Sequence, residues 1–126
     1  MNILFVYFDK IIQNDNLYVK SLCEEIRRQN GSVECSIDAF WNSPRKYDIV
    51  HIQFPEVIFK WRQPSDNGLK ALRQRIARLK SMGTKIVYTR HDAIPHYCTD
   101  KNKLELYRIV ETQSNAIIHL GEYSRQ

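Results

Sequence analysis

The chain has 126 residues, of which 43% are hydrophobic, enough to bury the core of one compact domain without metal or disulfide cross-links. Its three cysteines, Cys23, Cys35 and Cys98, are widely spaced and form no C-x-x-C pair, which argues against a disulfide framework and favours a reducing, cytoplasmic setting. The formal net charge of +5 would suit nucleic acid, an anionic membrane surface or a phosphorylated small molecule, and its sign does not choose among them.

The first half of the chain predicts strand, helix, strand, loop and strand. Residues 2–8 are apolar and predict a first strand, because the run lacks a basic leader, is too short to cross a bilayer and stops at Asp9. A helix is expected from the capping side chains at 14–16 to Gly31, which can supply a left-handed stop. The remaining predicted elements are a second strand at 32–37, a loop at 38–47 and a third strand at 48–53.

The second half continues the same alternation. A long loop through Pro55 and Pro64 precedes a helix that Ser65 and Asp66 cap and Gly83 ends. Its apolar face is expected to consist of Leu69, Leu72, Ile76 and Leu79. The remaining predicted elements are a fourth strand at 85–89, a helix at 101–114 with Leu104, Tyr107 and Val110 or Glu111 at its spaced positions, and a fifth strand at 116–120.

Strands that alternate with helices lie parallel and are joined by right-handed crossovers. We therefore expect residues 1–126 to form a single α/β domain, a Rossmann-like open parallel sheet of about five strands in the order 3-2-1-4-5 with helices on both faces. In that order the topological switch lies between strands one and four, where ligands of such sheets bind. Asp9 and Lys10 would then lie beside Arg90, His91 and Asp92.

Several common sites are excluded by missing motifs. The turn after the first strand contains no glycine, which excludes both a dinucleotide fingerprint and a P-loop there. Gly-x-Ser-x-Gly is absent, so no nucleophile elbow is present. The spacing of the four histidines matches no metal-ligand signature, and we expect no metal site.

Two polar runs follow buried strands and carry most of the functional information. One is HIQFPE at 51–56 and the other is TRHDAIPHY at 89–97. Because parallel strands end at the same edge of a sheet, both runs should reach the crevice where ligands of open α/β sheets bind. The sequence therefore predicts a site, or half of one, at this edge.

With the residues that precede them, these runs resemble segments of GT-B glycosyltransferases of the family 4 type, especially bacterial enzymes of polysaccharide assembly. The matching stretches are DIVHIQFPE at 48–56 and TRHDAIPH at 89–96, and residues 2–7 and 116–124 resemble further strands of the same N-terminal domain. The glycine-rich loop that many members carry after the first strand is missing here.

The resemblance implies the acceptor-binding half of a nucleotide-sugar-dependent hexosyltransferase of surface polysaccharide biosynthesis. Its acceptor would be a sugar or a lipid-linked sugar. The C-terminal domain that binds the nucleotide-sugar donor is absent from this sequence, so we expect no cofactor to be bound by the fragment and no transfer by it alone. The location expected is cytoplasmic, with peripheral contact to the inner face of the membrane as an alternative.

The resemblance also supplies roles for individual residues. If the complete enzyme inverts the anomeric centre, Asp92 is the expected general base, because a carboxylate just past a strand end can deprotonate an acceptor hydroxyl, and His91 is the second candidate. In a retaining enzyme His91 would instead contact the transferred sugar. The alternative is that both residues only close the turn through bonds to backbone amides. Acceptor contacts are expected from Asp9, Lys10, His51, Phe54, Glu56, Arg90, His96 and Tyr97.

Aromatic and basic residues outside this edge predict a second surface. Phe59, Lys60, Trp61 and Arg62 would face a membrane or partner, unless the loop is buried against its own domain or the donor domain. Arg73 and Arg78 belong to a basic helix. The alternative function is therefore a free-standing Rossmann-like module that docks a polyanion or protein through this helix, although no aromatics interleave with it in the pattern typical of nucleic-acid binding.

Overall fold

The computed structural model describes residues 2–8, 24–25, 28, 32–90 and 100–119 of the chain. Within these residues five strands form one parallel sheet: β1 (Asn2–Phe5), β2 (Ser32–Cys35), β3 (Ile49–Ile52), β4 (Lys85–Arg90) and β5 (Ala116–His119). The helices are α1 (Ile37–Asn42), α2 (Asp66–Ser81) and α3 (Lys101–Gln113), and a 3-10 helix spans Pro55–Phe59. The predicted α/β class with a Rossmann-like open sheet is confirmed.

The order of the strands is β2-β1-β3-β4-β5, which corrects the expected order 3-2-1-4-5. The reason is the face on which α1 lies: its Ala39 and Phe40 join the same core cluster as α2 and α3. Because crossovers are right-handed, connections on one face move along the sheet in one direction. The crossover from β2 to β3 therefore runs in the same direction as the crossovers to β4 and β5. It passes over β1 and places β3 on the far side of β1.

The new order moves the topological switch to the gap between β1 and β3. Phe5 pairs with His51 in the register of these two strands. Because β3 separates β1 from β4, the chain beyond β1 does not emerge next to the chain beyond β4. The expected placement of Asp9 and Lys10 beside Arg90 rested on adjacent strands, and the observed order removes that basis.

The sheet has an apolar core on each face. We call the face covered by α2 and α3 the helical face; here Leu4, Val50, Ile86 and their neighbours pack against both helices. On the opposite face Ile3, Phe5 and Tyr7 of the first strand and its extension pack with Ile37 and Val57. Side chains alternate between the faces along each strand, as the pleat requires.

Local sequence explains where the helices start. Ser65 Oγ accepts a hydrogen bond from Gly68 N at the start of α2, and Asp100 Oδ1 accepts from Asn102 N at the start of α3. Ser36 Oγ does the same for α1 by accepting from Ala39 N. Residues 38–42 of the predicted loop are therefore helical, whereas residues 43–47 form a loop as expected. Gly83 has φ +90° directly after α2, as expected for a helix stop.

The packing confirms the expected buried face of one helix and corrects that of another. The buried face of α2 is the predicted one, whereas α3 buries Leu106, Tyr107, Ile109 and Val110 and leaves Leu104 exposed. Of the helix expected between the first two strands, Glu24, Glu25 and Arg28 are described and helical, and its other residues lie outside the described part. Among the residues described, no helix combines the length and apolar character needed to cross a membrane.

Candidate functional site

A buried polar cluster lies at the carboxyl ends of β3 and β4. His51 Nε2 and Thr89 Oγ1 are 2.5 Å apart, and Gln53 Nε2 lies 3.2 Å from the same histidine nitrogen. The Phe5 ring stacks on the imidazole with its centroid at 4.6 Å. All three polar residues are buried. Buried polar groups persist only when they are bonded, so the cluster holds the start of each polar run in place.

The cluster lies on the face opposite α2 and α3, whereas the next residue of the second run points the other way. Arg90 Nη1 faces Glu111 Oε1 of α3 at 3.9 Å. That Glu111 oxygen is buried and makes no hydrogen bond within the described part of the chain. Strand alternation therefore separates His51 and Arg90, two predicted acceptor contacts, onto different faces.

Glu56 is held at the same edge by a helix from the second half of the chain. The hydroxyl of Tyr107 in α3 donates to Glu56 Oε2 at 2.6 Å. Tyr107 is buried, and Glu56 is partly exposed at the start of the 3-10 helix. The carboxylate is thus oriented by a fixed donor while it remains in reach of solvent. Tyr107 was predicted only as an apolar contact of its helix, and its phenol was the signal for a second role.

Six of the predicted site residues lie outside the described part of the chain. They are Asp9, Lys10, His91, Asp92, His96 and Tyr97. The proposed base and most of the second polar run therefore stay predictions. No group of three or more His, Cys, Asp or Glu that could hold a metal ion occurs in the described ranges.

The predicted membrane or partner surface divides into exposed and packed residues. Trp61 is 55% exposed, and Lys60 and Arg62 are exposed as well. Phe59 packs edge-on against Trp41 at a centroid distance of 5.7 Å and joins the core of the helical face. Phe54 is half-buried, with its ring 6.1 Å from that of Trp61.

The backbone that presents this surface is strained. Lys60 has φ +55° and Trp61 φ +66°, two consecutive side-chain-bearing residues in the left-handed region. Trp61 N donates to Glu56 O at 2.9 Å, and Lys60 N donates to Val57 O at 2.8 Å. These bonds close the 3-10 helix tightly and hold a conformation that costs about 1–2 kcal/mol per residue in isolation.

The basic residues of α2 are not equivalent. Arg75 donates to the carbonyls of Phe40 and Ser43, so it caps the end of α1, and its burial lowers the guanidinium pKa. Arg73 forms a 2.5 Å ion pair with Glu105 of α3. Arg78 is exposed and takes part in no ion pair with the described residues. Fewer basic side chains of α2 are therefore available to an anionic partner than the sequence indicates.

Comparison of the chain with protein-family models, with curated proteins and with solved structures gave no match.

Proposed function

We propose that this chain forms the acceptor-binding half of a nucleotide-sugar-dependent glycosyltransferase of surface polysaccharide biosynthesis. The observation that carries the proposal is the contact between His51 and Thr89, which joins the two polar runs at one edge of the sheet. Each run resembles the corresponding segment of family 4 type enzymes. Two segments that bind one acceptor must lie side by side. The first residues of these two runs, His51 and Thr89, are in contact.

The fixed orientation of Glu56 supports the same proposal. Transfer requires the acceptor hydroxyl to be held in one position relative to the donor. A carboxylate that accepts from the buried phenol of Tyr107 keeps its second oxygen for a ligand hydroxyl. It can therefore position a sugar without first being ordered by it.

In this proposal the transfer reaction itself requires the complete enzyme. A second domain would bind the nucleotide-sugar donor, and Asp92, with His91 as second candidate, would act on the acceptor hydroxyl. Exposed Trp61, Lys60 and Arg62 favour peripheral contact with anionic headgroups, since aromatic and basic side chains suit that interface. A lipid-linked sugar acceptor would be reached from such a position at the cytoplasmic face.

The test is a ligand-class comparison on the 126-residue chain. An isotope-labelled sample is titrated with octyl glycosides, with nucleotide sugars, and with heparin at low and high salt, and amide shifts are mapped by NMR. We expect octyl glycosides to shift amides at residues 53–62 and nucleotide sugars to have little effect. The alternative polyanion module predicts heparin shifts on α2 that vanish at high salt.

Glu56→Gln is the matched site variant, because glutamine can still accept from Tyr107 while the charge is lost. Glu24→Gln removes the same charge from an exposed helical position and serves as control. We expect glycoside affinity to fall about tenfold only in Glu56→Gln, the loss typical of one charged hydrogen bond. Binding of heparin or nucleotide sugars alone, with no glycoside shifts, would refute the proposed function.

A further inference from the structure

We propose that a pocket beside α1 binds one neutral sugar ring of the acceptor, an inference that rests on the proposed function. The cavity has a volume of about 170 Å³ and is lined by Phe8, Ser36, Ile37, Asp38 and Lys60. The cavity is open to solvent on one side, so a single sugar ring can lie in it with its hydroxyl groups at the rim.

The pocket lies where the fold places ligands. Phe8 follows β1, Asp38 follows β2, and Lys60 follows β3 and its 3-10 helix. All three therefore come from the carboxyl ends of neighbouring strands, of which β1 and β3 flank the switch and β2 lies next to β1. In open α/β sheets this is the position of the binding crevice. The sequence alone does not predict this pocket, because the expected strand order places the switch elsewhere and residues 38–42 are expected to form a loop.

The charges on the rim indicate a neutral, hydroxyl-bearing ligand. Asp38 and Lys60 are both exposed, and within the described part of the chain they form no ion pair with each other. Asp38 Oδ1 accepts from Asn42 Nδ2 at 2.9 Å, which fixes the carboxylate. A hydroxyl can donate to the carboxylate and accept from the ammonium. The two opposite charges largely cancel, so neither a phosphate nor an amine gains a net attraction from the rim.

The apolar wall complements this rim. The Phe8 ring is half-buried and is held by an edge-on contact with Tyr7 at 5.5 Å. Buried Ile37 forms the floor beside it. A sugar ring offers C–H faces to such a wall and hydroxyls to the rim, and pockets for small ligands combine apolar lining with a few placed polar groups. The strained backbone of Lys60 keeps its side chain on the rim.

The experiment titrates the isotope-labelled chain with glucose, galactose, mannose and N-acetylglucosamine, and with glucose 1-phosphate as the anionic counterpart. We expect at least one neutral sugar to shift the amides of residues 36–38 and 60. Its Kd should rise at least fivefold in Asp38→Asn and in Lys60→Met. The exposed control variants Glu24→Gln and Lys70→Met should bind as the parent does, and unchanged spectra without ligand establish that every variant is folded.

The outcomes separate the two proposals. Sugar shifts confined to residues 53–56 and unaffected by both pocket variants would overturn the pocket and leave the proposed function standing. Tighter binding of glucose 1-phosphate than of glucose, strengthened further in Asp38→Asn, would overturn the neutral ligand. An absence of shifts with every sugar and glycoside would remove the proposed function together with the pocket.

Discussion

Replacement of Arg75 by methionine should destabilise the fold because it removes the cap of α1. The guanidinium donates to Phe40 O, to Ser43 O at 2.9 Å and, at 3.5 Å, to Ala39 O. A hydrogen bond to a charged group contributes about 1.5–3 kcal/mol when buried. Arg75 is only half-buried, so we take about 1 kcal/mol for each of the two shorter bonds. The expected loss is therefore about 2 kcal/mol.

The assay is urea unfolding followed by fluorescence of Trp41, whose indole donates to Ile58 O at 3.1 Å. The chain has two tryptophans, so Trp61→Phe provides a background in which Trp41 reports alone. For a domain of this size a loss of about 2 kcal/mol lowers Tm by about 6–10 °C. The matched control is Arg78→Met on the same helix, where the exposed side chain should change the free energy of unfolding by less than about 0.5 kcal/mol.

Equal stability of the Arg75→Met and Arg78→Met variants would refute the capping role. Arg75 would then count among the basic residues of α2 that are available to a partner, which would favour the alternative of a polyanion-binding helix. A loss confined to Arg75→Met would confirm that this arginine supports α1, the helix that carries Asp38 of the proposed pocket.

Three further predictions follow from local geometry. Lys60→Gly should raise the free energy of unfolding by about 0.5–1 kcal/mol in urea, since relief of left-handed strain exceeds the added entropy of the unfolded chain; a loss of stability would contradict this. Gly68→Ala should lower Tm despite the better helix propensity, because the new Cβ would lie 2.9 Å from Cε1 of Phe59; an unchanged Tm would mean that the ring yields freely. Burial raises the pKa of Tyr47 above its usual value of 10, so the unfolded state ionises first and stability should fall as pH rises past 10. Tyr47→Phe should flatten that fall in a Tm-against-pH series, and identical slopes would exclude Tyr47 as its source.

The elements with strong local signals were predictable from the chain. α2 starts at its serine cap, buries the expected leucine and isoleucine face and stops before Gly83. β4 matches its predicted apolar segment closely. The same local signals were present for α1, where Ser36 caps the helix, but the alternation of residues 32–37 concealed them.

The candidate site was predictable in part. The sequence placed both polar runs at strand ends, and the structure brings their starting residues together through His51 and Thr89. It did not indicate that Arg90 faces Glu111 of α3, or that Tyr107 orients Glu56 across 51 positions. Contacts of that sequence separation depend on how α3 packs, which no local pattern encodes.

What the sequence by itself determined is the α/β class, because alternation of buried strands and amphipathic helices leaves few other arrangements. The tertiary structure alone decided the strand order. The apolar strands are interchangeable in their patterns, and only the packing of α1 on the helical face directs β3 to the side of β1. The location of the switch, the pocket next to it and the division of the arginines between capping and exposure all follow from that packing.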